Sequence, residues 1–211
     1  IKKTMFLIGI SGGTGSGKST LANLIVKYNK NIGIINQDSY YKNFYYLDFQ
    51  KRSLINYDDP KSVDFKLLEK NLIKLKKQKK ISEPIYSYKS HKRLKTNKII
   101  FPKNILILEG LHIFYKKSIL DLIDLSIYLK VSEKVRLNRR IKRDMAERRR
   151  SRFEVENRFL SMCQPMHIKY TEPFQNKADF ILNEDEIKIK KVLNLISKKI
   201  NIDNYQKNII Q

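Results

Sequence analysis

Short apolar runs recur along the chain and are separated by segments of mixed polarity. Each run is four to seven residues long, the length of a strand buried on both faces of a parallel sheet. The predicted strands are Met5–Ile10, Ile32–Ile35, Ile105–Leu108, Leu125–Val131 and Phe180–Asn183. Apolar residues at helical spacing predict helices over Lys18–Tyr28, Val63–Lys79, Ser132–Arg148, Arg152–Tyr170 and Glu184–Ile200. This alternation predicts an α/β fold with a doubly wound parallel sheet, in which ligands bind at the carboxyl ends of the strands.

The segment 81–101 interrupts the alternation of strands and helices. Pro84 precedes one short β-rich piece, Ile85–Tyr88, and Pro102 follows another, Lys98–Phe101. Two such pieces close together predict a β-hairpin that stands off the main sheet. An excursion of this kind is expected to shape a pocket.

Residues 12–19 form a glycine-rich loop, G-G-T-G-S-G-K-S, which matches the phosphate-binding pattern G-x-x-x-x-G-K-[ST] in full. Glycines let successive backbone N–H groups turn toward phosphates, and the following helix directs its positive end at them. Lys18 is expected to reach the β- and γ-phosphates, and the Ser19 hydroxyl to bind Mg²⁺. The dinucleotide pattern G-x-G-x-x-G does not fit, because Thr20 occupies the place of its third glycine. The predicted nucleotide-binding residues here are Gly12, Gly13, Thr14, Gly15, Ser16, Gly17, Lys18, Ser19 and Thr20.

Carboxylates stand at the ends of two further strands. Asp38 follows the second strand, in I-I-N-Q-D-S-Y-Y, and Glu109 ends the third, in I-L-I-L-E-G. In folds with a phosphate loop, the neighbouring strand ends point into the site. Asp38 is therefore a candidate general base for an acceptor hydroxyl, and Glu109, with Ser19 and Asp38, a candidate ligand of Mg²⁺. The alternatives are a solvated turn aspartate and a surface glutamate.

Arginines are concentrated after the fourth predicted strand. The members of this cluster are Arg136, Arg139, Arg140 and Arg143, within two helical turns, with Arg148 and Arg150 just beyond. Because the cluster belongs to the same domain as the phosphate loop, it is predicted to close over the nucleotide as a lid and to offset charge on the transferred phosphoryl group. A nucleic-acid-binding helix and a solvated charged face are the alternatives.

Composition adds a strong positive charge. Lys and Arg total 44 against 21 Asp and Glu, which gives a net charge of +23 and a pI near 9.9. Such a balance favours polyanions or anionic substrates such as nucleotides. The amino-acid bias of AT-rich coding is an equal alternative, and no basic stripe alternating with aromatics is present to favour nucleic acid as a partner.

Length indicates one domain, since 211 residues suit a single α/β unit. We expect a kinase-type domain over residues 1–200, with the acceptor hairpin at 81–101 and the lid at 132–158, and a frayed polar tail at 201–211. Cys163 is the single cysteine, and no apolar stretch reaches the ~20 residues of a membrane span. A cytoplasmic location is expected. The sequence begins at Ile1 rather than Met, so an upstream targeting segment would lie outside it.

The ordered set of motifs resembles the uridine kinase (uridine-cytidine kinase) family of P-loop kinases. The likeness runs from the first strand to about Asn183. The motifs on which this likeness rests are GGTGSGKST at 12–20, QDSYY at 37–41, YDDPKSVDF at 57–65, PIYSYKSHKR at 84–93, LEGLHIFY at 108–115, RRIKRDMAER in the lid and PMHIKYTEP at 165–173. Phosphoribulokinase and pantothenate kinase share the loop and parts of the architecture, without the hairpin motif.

The resemblance implies a role for each matching position. Asp38 would be the base for a ribose 5′-hydroxyl, while Ser19 and Glu109 would hold Mg²⁺. Asp58 and Arg140 would bind ribose hydroxyls. The base pocket would be formed by Tyr41, Tyr86, Tyr88 and His91, and the triphosphate and lid would be served by Arg143, Arg148 and Arg150. His112 and His167 match no catalytic position and are interpreted as structural.

Four positions depart from the family pattern. The family usually has glycine at Arg149, histidine at Asp59 and aspartate at Ser87, and a glutamine that contacts the nucleoside at Arg158. Arginine carries five donors and no acceptor, so Arg158 cannot reproduce the contacts of a glutamine.

These features predict a P-loop kinase that transfers the γ-phosphoryl group of ATP or GTP, with Mg²⁺, to the 5′-hydroxyl of uridine and of cytidine. The resemblance also implies a homotetramer. One alternative is a kinase of the same fold with another acceptor, such as a sugar phosphate or pantothenate. The other is a nucleotide-dependent module that binds RNA or DNA with steep salt dependence.

Overall fold

A central parallel sheet organises the chain. The computed structural model describes residues 5–209, with the backbone alone for 201–209. The five strands of the sheet stand in the order β2-β5-β1-β6-β7, and all neighbours are parallel. Their bounds are β1 Phe6–Gly12, β2 Ile32–Asn36, β5 Ile105–Glu109, β6 Leu125–Lys130 and β7 Phe180–Asn183. The five predicted strands and the α/β class are confirmed.

The register of the strands gathers the candidate site at one edge. Glu109 pairs with Ile10 of β1 and with Asn36 of β2. The phosphate loop after β1, the turn that carries Asp38 after β2, and Glu109 at the end of β5 therefore converge at the carboxyl edge of the sheet, as expected for an open α/β sheet.

Eight α-helices are found among residues 5–209. They are α1 Lys18–Tyr28, α2 Phe49–Leu54, α3 Phe65–Lys76, α4 Lys117–Leu120, α5 Glu133–Arg148, α6 Arg152–Arg158, α7 Gln164–Tyr170 and α8 Ile189–Ile209. The prediction of a helix from Val63 is early by two residues, because the Asp64 side chain caps the backbone N–H of Leu67 at 3.1 Å and fixes the start at Phe65. The prediction for the last helix is wrong at both ends: residues 184–186 form a 3₁₀ turn, and α8 continues past Ile200 to Ile209.

The predicted helix Arg152–Tyr170 is present but not uniform. A π-helical turn, Phe159–Cys163, joins α6 to α7. Such turns insert an extra residue into the helix and are frequent at functional sites. Here the turn brings Cys163 against Asp58.

The segment 81–101 forms the predicted hairpin as a separate two-stranded sheet, β3 Ile81–Ser87 and β4 Lys92–Ile100. Both strands are longer than the two β-rich pieces indicated. The pairing shifts between Pro84 and Tyr86, since proline cannot donate to the ladder. His91 lies in the connecting turn with φ 51°.

The core lies on both faces of the sheet, as a doubly wound fold requires. On one face, Leu106 and Leu108 pack with α3 and Phe114. On the other face, Ile8 and Ile10 pack with α1 and α8. Among the described residues, no helix is long and apolar enough to cross a membrane.

Candidate active site

The phosphate loop has the backbone that its glycines allow. Gly15 and Gly17 adopt φ values of 78° and 97°, in the left-handed region where a side chain is strained. The Lys18 ammonium donates to the Gly13 carbonyl at 2.9 Å, across the mouth of the loop. The N-terminus of α1 begins at Lys18, so its free N–H groups face the space above the loop.

Arg136 supports the loop from behind. Its side chain is 2% exposed and donates to the Val131 carbonyl at 3.1 Å and to Gln164 Oε1 at 2.7 Å. A Cβ atom added at Gly15 would lie 2.3 Å from the Arg136 carbonyl oxygen, and one at Gly13 would lie 2.7 Å from its guanidinium. The expectation that Arg136 belongs to the lid cluster is therefore wrong, because Arg136 faces the core and the back of the loop instead of the nucleotide.

Oxygen ligands lie beside Lys18. The Ser19 hydroxyl donates to Glu109 Oε1 at 2.9 Å. Burial lowers the pKa of Lys18, and the carboxylates of Glu109 and Asp38 oppose that effect. Burial likewise raises the pKa of Glu109, against the opposing charge of Lys18. One ammonium between two carboxylates is an arrangement that favours an anionic ligand together with a cation.

Asp38 is the second residue of a 3₁₀ turn, Gln37–Tyr40, that follows β2, and Asn36 Oδ1 accepts from its backbone N–H at 2.8 Å. The Tyr88 hydroxyl, from the hairpin, donates to Asp38 Oδ2 at 2.7 Å. Burial and the Asp38 carboxylate raise the pKa of Tyr88, so its hydroxyl stays protonated and donates. The Arg148 guanidinium lies 4.6 Å from the centre of the Tyr88 ring. The hairpin and the lid thus meet directly over Asp38.

Asp58 lies deeper in the cavity and is held from several sides. Its carboxylate accepts from the Cys163 thiol at 3.1 Å and lies 3.7 Å from an Arg140 guanidinium nitrogen. His112 bonds the Asp58 carbonyl at 2.8 Å through Nε2. Burial is the largest single influence and would raise the pKa of Asp58, but the Arg140 charge, the Cys163 hydrogen bond and the charges of His112 and Lys18 together lower that pKa.

Asp144 orders the arginines of the lid, although the sequence does not predict it as a site residue. Its carboxylate is fully buried. Arg143 contacts Oδ1 through Nε and Nη2, both at 2.8 Å, Arg148 lies 3.4 Å from the same oxygen, and Arg140 lies 3.5 Å from Oδ2. The backbone N–H of Arg150 also donates to the Asp144 carbonyl, at 3.3 Å. The only sign in the sequence is an acidic residue at helical spacing inside a run of arginines.

Aromatic rings line the far end of the cavity. Tyr41 contacts Tyr57 and Tyr86 edge to face, with ring centres 5.1 Å apart in both pairs. His91 stacks on Tyr57 at 5.5 Å, with 16° between the planes. Burial, and then the charges of nearby arginines, lower the pKa of His91 to about 4, so the ring is neutral at pH 7. The sequence does not mark Tyr57 as a site residue, although Tyr57 is the first residue of the motif YDDPKSVDF.

One cavity of about 580 Å³ brings most of the predicted site residues together. Gly12, Gly13 and Ser16 are not among the residues that line it, and they form the back of the loop. The predicted residues that do line it are Thr14, Gly15, Gly17, Lys18, Ser19, Thr20, Asp38, Tyr41, Asp58, Tyr86, Tyr88, His91, Glu109, Arg140, Arg143, Arg148 and Arg150. Arg158 lines it as well. The two other histidines are buried, and His167 has its pKa lowered to about 3 by burial and by the neighbouring Arg136.

A phosphate loop beside carboxylates at the edge of a doubly wound sheet, under an arginine-bearing helix, defines a P-loop kinase. The chain belongs to the Phosphoribulokinase / Uridine kinase family, which it matches over residues 7–188.

Curated relatives cover most of the chain. It is 41% identical to a uridine kinase of Clostridium tetani over 186 residues, 87% of this chain and 89% of that protein. It is 37% identical to a uridine kinase of Staphylococcus aureus over 206 residues, 93% of this chain and 100% of that protein.

Solved structures share the fold at low identity. D-glycerate 3-kinase from Cryptococcus neoformans superposes with a TM-score of 0.65 at 16% identity and covers 87% of each chain. Phosphoribulokinase from Rhodobacter spheroides gives 0.60 at 16% identity, over 86% of this chain and 71% of that one. These likenesses establish the architecture of a P-loop kinase.

Proposed function

We propose that this kinase transfers the γ-phosphoryl group of ATP, or of GTP, to the 5′-hydroxyl of uridine and of cytidine. The observation that carries the proposal is the Asp38 carboxylate, which lines one cavity with the phosphate-loop lysine at one end and the Tyr41, Tyr86 and His91 rings at the other. The similarity to the uridine kinases of Clostridium tetani and Staphylococcus aureus supports uridine as an acceptor.

Asp38 is proposed as the general base. It accepts the proton of the 5′-hydroxyl while the oxygen forms a bond to the γ-phosphorus, and the bond from that phosphorus to the β,γ-bridging oxygen breaks. The products are the nucleoside monophosphate, the nucleoside diphosphate and a proton. In the described structure the Tyr88 hydroxyl holds the Asp38 oxygen at 2.7 Å, where the acceptor hydroxyl would bind.

Charge on the phosphates is offset by residues of the loop and lid. Lys18 stands at the mouth of the loop, and Arg143, Arg148 and Arg150 line the same cavity. Positively charged groups held in place before the reaction stabilise a transition state in which charge spreads over the phosphoryl oxygens.

Ser19, Glu109 and Asp38 fit a magnesium ion that is completed by phosphate oxygens. Within residues 5–209, no group of three or more His, Cys, Asp or Glu side chains could hold a metal ion unaided. Kinase sites hold Mg²⁺ through one or two carboxylates together with substrate phosphates and water, so this small oxygen set is suitable. The ion would neutralise phosphate charge when it is bound.

Recognition of the acceptor is divided between two groups of residues. Asp58 and Arg140 present an acceptor and donors to ribose hydroxyls, and their contact of 3.7 Å fixes both. The Tyr41 and Tyr86 rings offer faces to a pyrimidine, and the neutral His91 offers a ring nitrogen to its polar edge.

A coupled assay of ADP release with ATP and Mg²⁺ tests the proposal. The acceptors are uridine, cytidine, adenosine, ribulose 5-phosphate and pantothenate, and Asp38→Asn is assayed beside the unchanged protein. Turnover on the pyrimidine nucleosides alone, lost in Asp38→Asn, is expected. Turnover on ribulose 5-phosphate or pantothenate instead would refute the proposal of a pyrimidine nucleoside as acceptor. Full activity of Asp38→Asn would refute the proposal that Asp38 is the general base.

A further inference from the structure

The end of the cavity that is lined by Tyr41, Tyr86 and His91, where the pyrimidine ring is proposed to bind, is strongly cationic. Arg150, Arg158, Arg148 and Arg52 all lie close enough to His91 for their charges to lower its pKa, in addition to the effect of burial. His91 therefore stays neutral at pH 7 and adds no positive charge of its own. Arginine cannot lose its proton in a protein, so the four positive charges are permanent.

Two of these four charges are offset by carboxylates. Arg148 lies 3.4 Å from Asp144, and Arg150 lies 3.4 Å from Glu154. Arg148 and Arg150 therefore each have a carboxylate neighbour before any ligand arrives, although Arg148 shares Asp144 with Arg140 and Arg143.

The other two charges have only carbonyl partners. Arg158 donates to the Ser53 carbonyl at 3.1 Å, and Arg52 donates to the carbonyls of Ser90, at 3.3 Å, and Leu47. Among the residues that the structure describes, neither forms an ion pair with a carboxylate within 4.0 Å. Arg52 is 9% exposed, whereas Arg158 is half-buried and lines the cavity.

We propose that Arg158, supported by the charge of Arg52, makes this site select pyrimidine nucleosides that carry a carbonyl at C4, so that uridine is preferred to cytidine. Arg158 offers donors only. The O4 atom of uracil accepts hydrogen bonds and carries partial negative charge, whereas the exocyclic amine of cytosine is a donor with partial positive charge. An amine facing guanidinium groups leaves donors unpaired.

The size of the preference follows from that unpaired contact. Leaving a buried donor unsatisfied reduces binding by roughly 10- to 100-fold. Because the lost contact is formed to the nucleoside itself, the effect falls on kcat/KM and on the dissociation constant of the nucleoside, with the affinity for ATP unchanged.

This inference rests on the proposed function, and the test separates the two. The value of kcat/KM is measured for uridine and for cytidine with the unchanged protein, Arg158→Gln, Arg158→Lys and Arg152→Gln. Arg152 is the matched control, since it lies on the same helix, is 68% exposed and pairs with Glu156 at 2.7 Å. Nucleoside binding by calorimetry and thermal unfolding are recorded for every protein.

We expect a uridine-to-cytidine ratio of about 10 or more that falls toward unity in Arg158→Gln, because glutamine is neutral and has an acceptor. Arg158→Lys keeps most of the preference, and Arg152→Gln keeps all of it. A ratio near unity in the unchanged protein, or a ratio that Arg158→Gln leaves unaltered, overturns the inference while the proposed function stands. Turnover on neither nucleoside overturns the proposed function itself. If Arg158→Gln does not fold, the inference is tested by the kcat/KM ratio of Arg158→Lys and by the ratio of the uridine and cytidine dissociation constants of the unchanged protein, measured by calorimetry.

Discussion

Replacement of Asp144 by asparagine tests whether the Asp144 carboxylate holds the arginines of the lid in place. The substitution keeps the size of the side chain but removes the charge that Arg143 contacts at 2.8 Å, Arg148 at 3.4 Å and Arg140 at 3.5 Å. It also turns an amide donor toward guanidinium groups that have no acceptor atoms. Three arginines would then surround a fully buried side chain that no longer carries their common negative charge.

The expected magnitude follows from the exposure of each arginine. Removing one partner of a buried ion pair destabilises a protein by about 3–5 kcal/mol. Arg143 and Arg148 have 36% and 23% of their side chains exposed and can turn partly to water, and Arg140 keeps Asp58 at 3.7 Å. We therefore expect the lower end, about 3 kcal/mol, which for a chain of this size lowers Tm by about 6–12 °C. A displacement of the arginines by about 1 Å would reduce kcat/KM by ~10²-fold.

Thermal unfolding and the ADP-release assay measure both effects. The matched control is Asp121→Asn, the same substitution in an exposed pair with Lys117 at 2.8 Å. In that variant the free energy of unfolding is expected to fall by less than about 1 kcal/mol, and kcat/KM is expected to stay unchanged. The reasoning would be refuted if Asp144→Asn unfolded at the same temperature as Asp121→Asn and retained full kcat/KM.

Two further predictions concern the phosphate loop and the buried His167. Gly15→Ala combines a φ of 78° with a Cβ placed 2.3 Å from the Arg136 carbonyl oxygen, whereas Gly17→Ala, with φ 97°, meets nothing nearer than 3.9 Å. We expect Gly17→Ala to reduce the free energy of unfolding by about 1–2 kcal/mol, and Gly15→Ala to reduce it clearly more and to weaken MgATP binding at least tenfold. Thermal unfolding measures the stability of each variant, and calorimetry measures its MgATP binding. Equal losses in the two variants would contradict this reasoning. Burial, and then Arg136, lower the pKa of His167 from 6.5 to about 3, so the unfolded chain binds a proton that the folded protein does not. The free energy of unfolding should therefore fall by about 1.4 kcal/mol per pH unit as the pH drops below 6.5, and urea titrations at pH 7 and pH 5 should show a smaller fall in His167→Gln.

The strands and the phosphate loop could be predicted because their signals are local. A run such as Ile105–Leu108 is apolar on both faces, as a strand buried on both sides of a parallel sheet requires. The loop needs glycine at positions such as Gly15, where φ is 78°. Once the strands are known, topology places Asp38 and Glu109 at the same edge, and the register of β2, β5 and β1 confirms that placement.

The arrangement of the lid could not be predicted because burial depends on tertiary contacts. Arg136 and Arg140 look alike in the sequence, yet Arg136 packs behind the loop and Arg140 lines the cavity. Asp144 looks like a solvated residue of a charged helix, but it is completely buried. The short helices α2 and α4, of six and four residues, contain too few turns to show a periodic pattern.

The buried Arg136 gives the lid helix a pivot. Its bonds to Val131 and Gln164 tie the first turn of α5 to the sheet and to α7. With a rise of 1.5 Å per residue, Arg140 lies about 6 Å along the axis from this point and Arg148 about 18 Å. A tilt of about 10° around the pivot would shift Arg140 by only about 1 Å but Arg148 by about 3 Å. If Arg140 binds the ribose and Arg148 the phosphates, as proposed, such a tilt would leave the ribose contact nearly unchanged while it moved Arg148 relative to the phosphates.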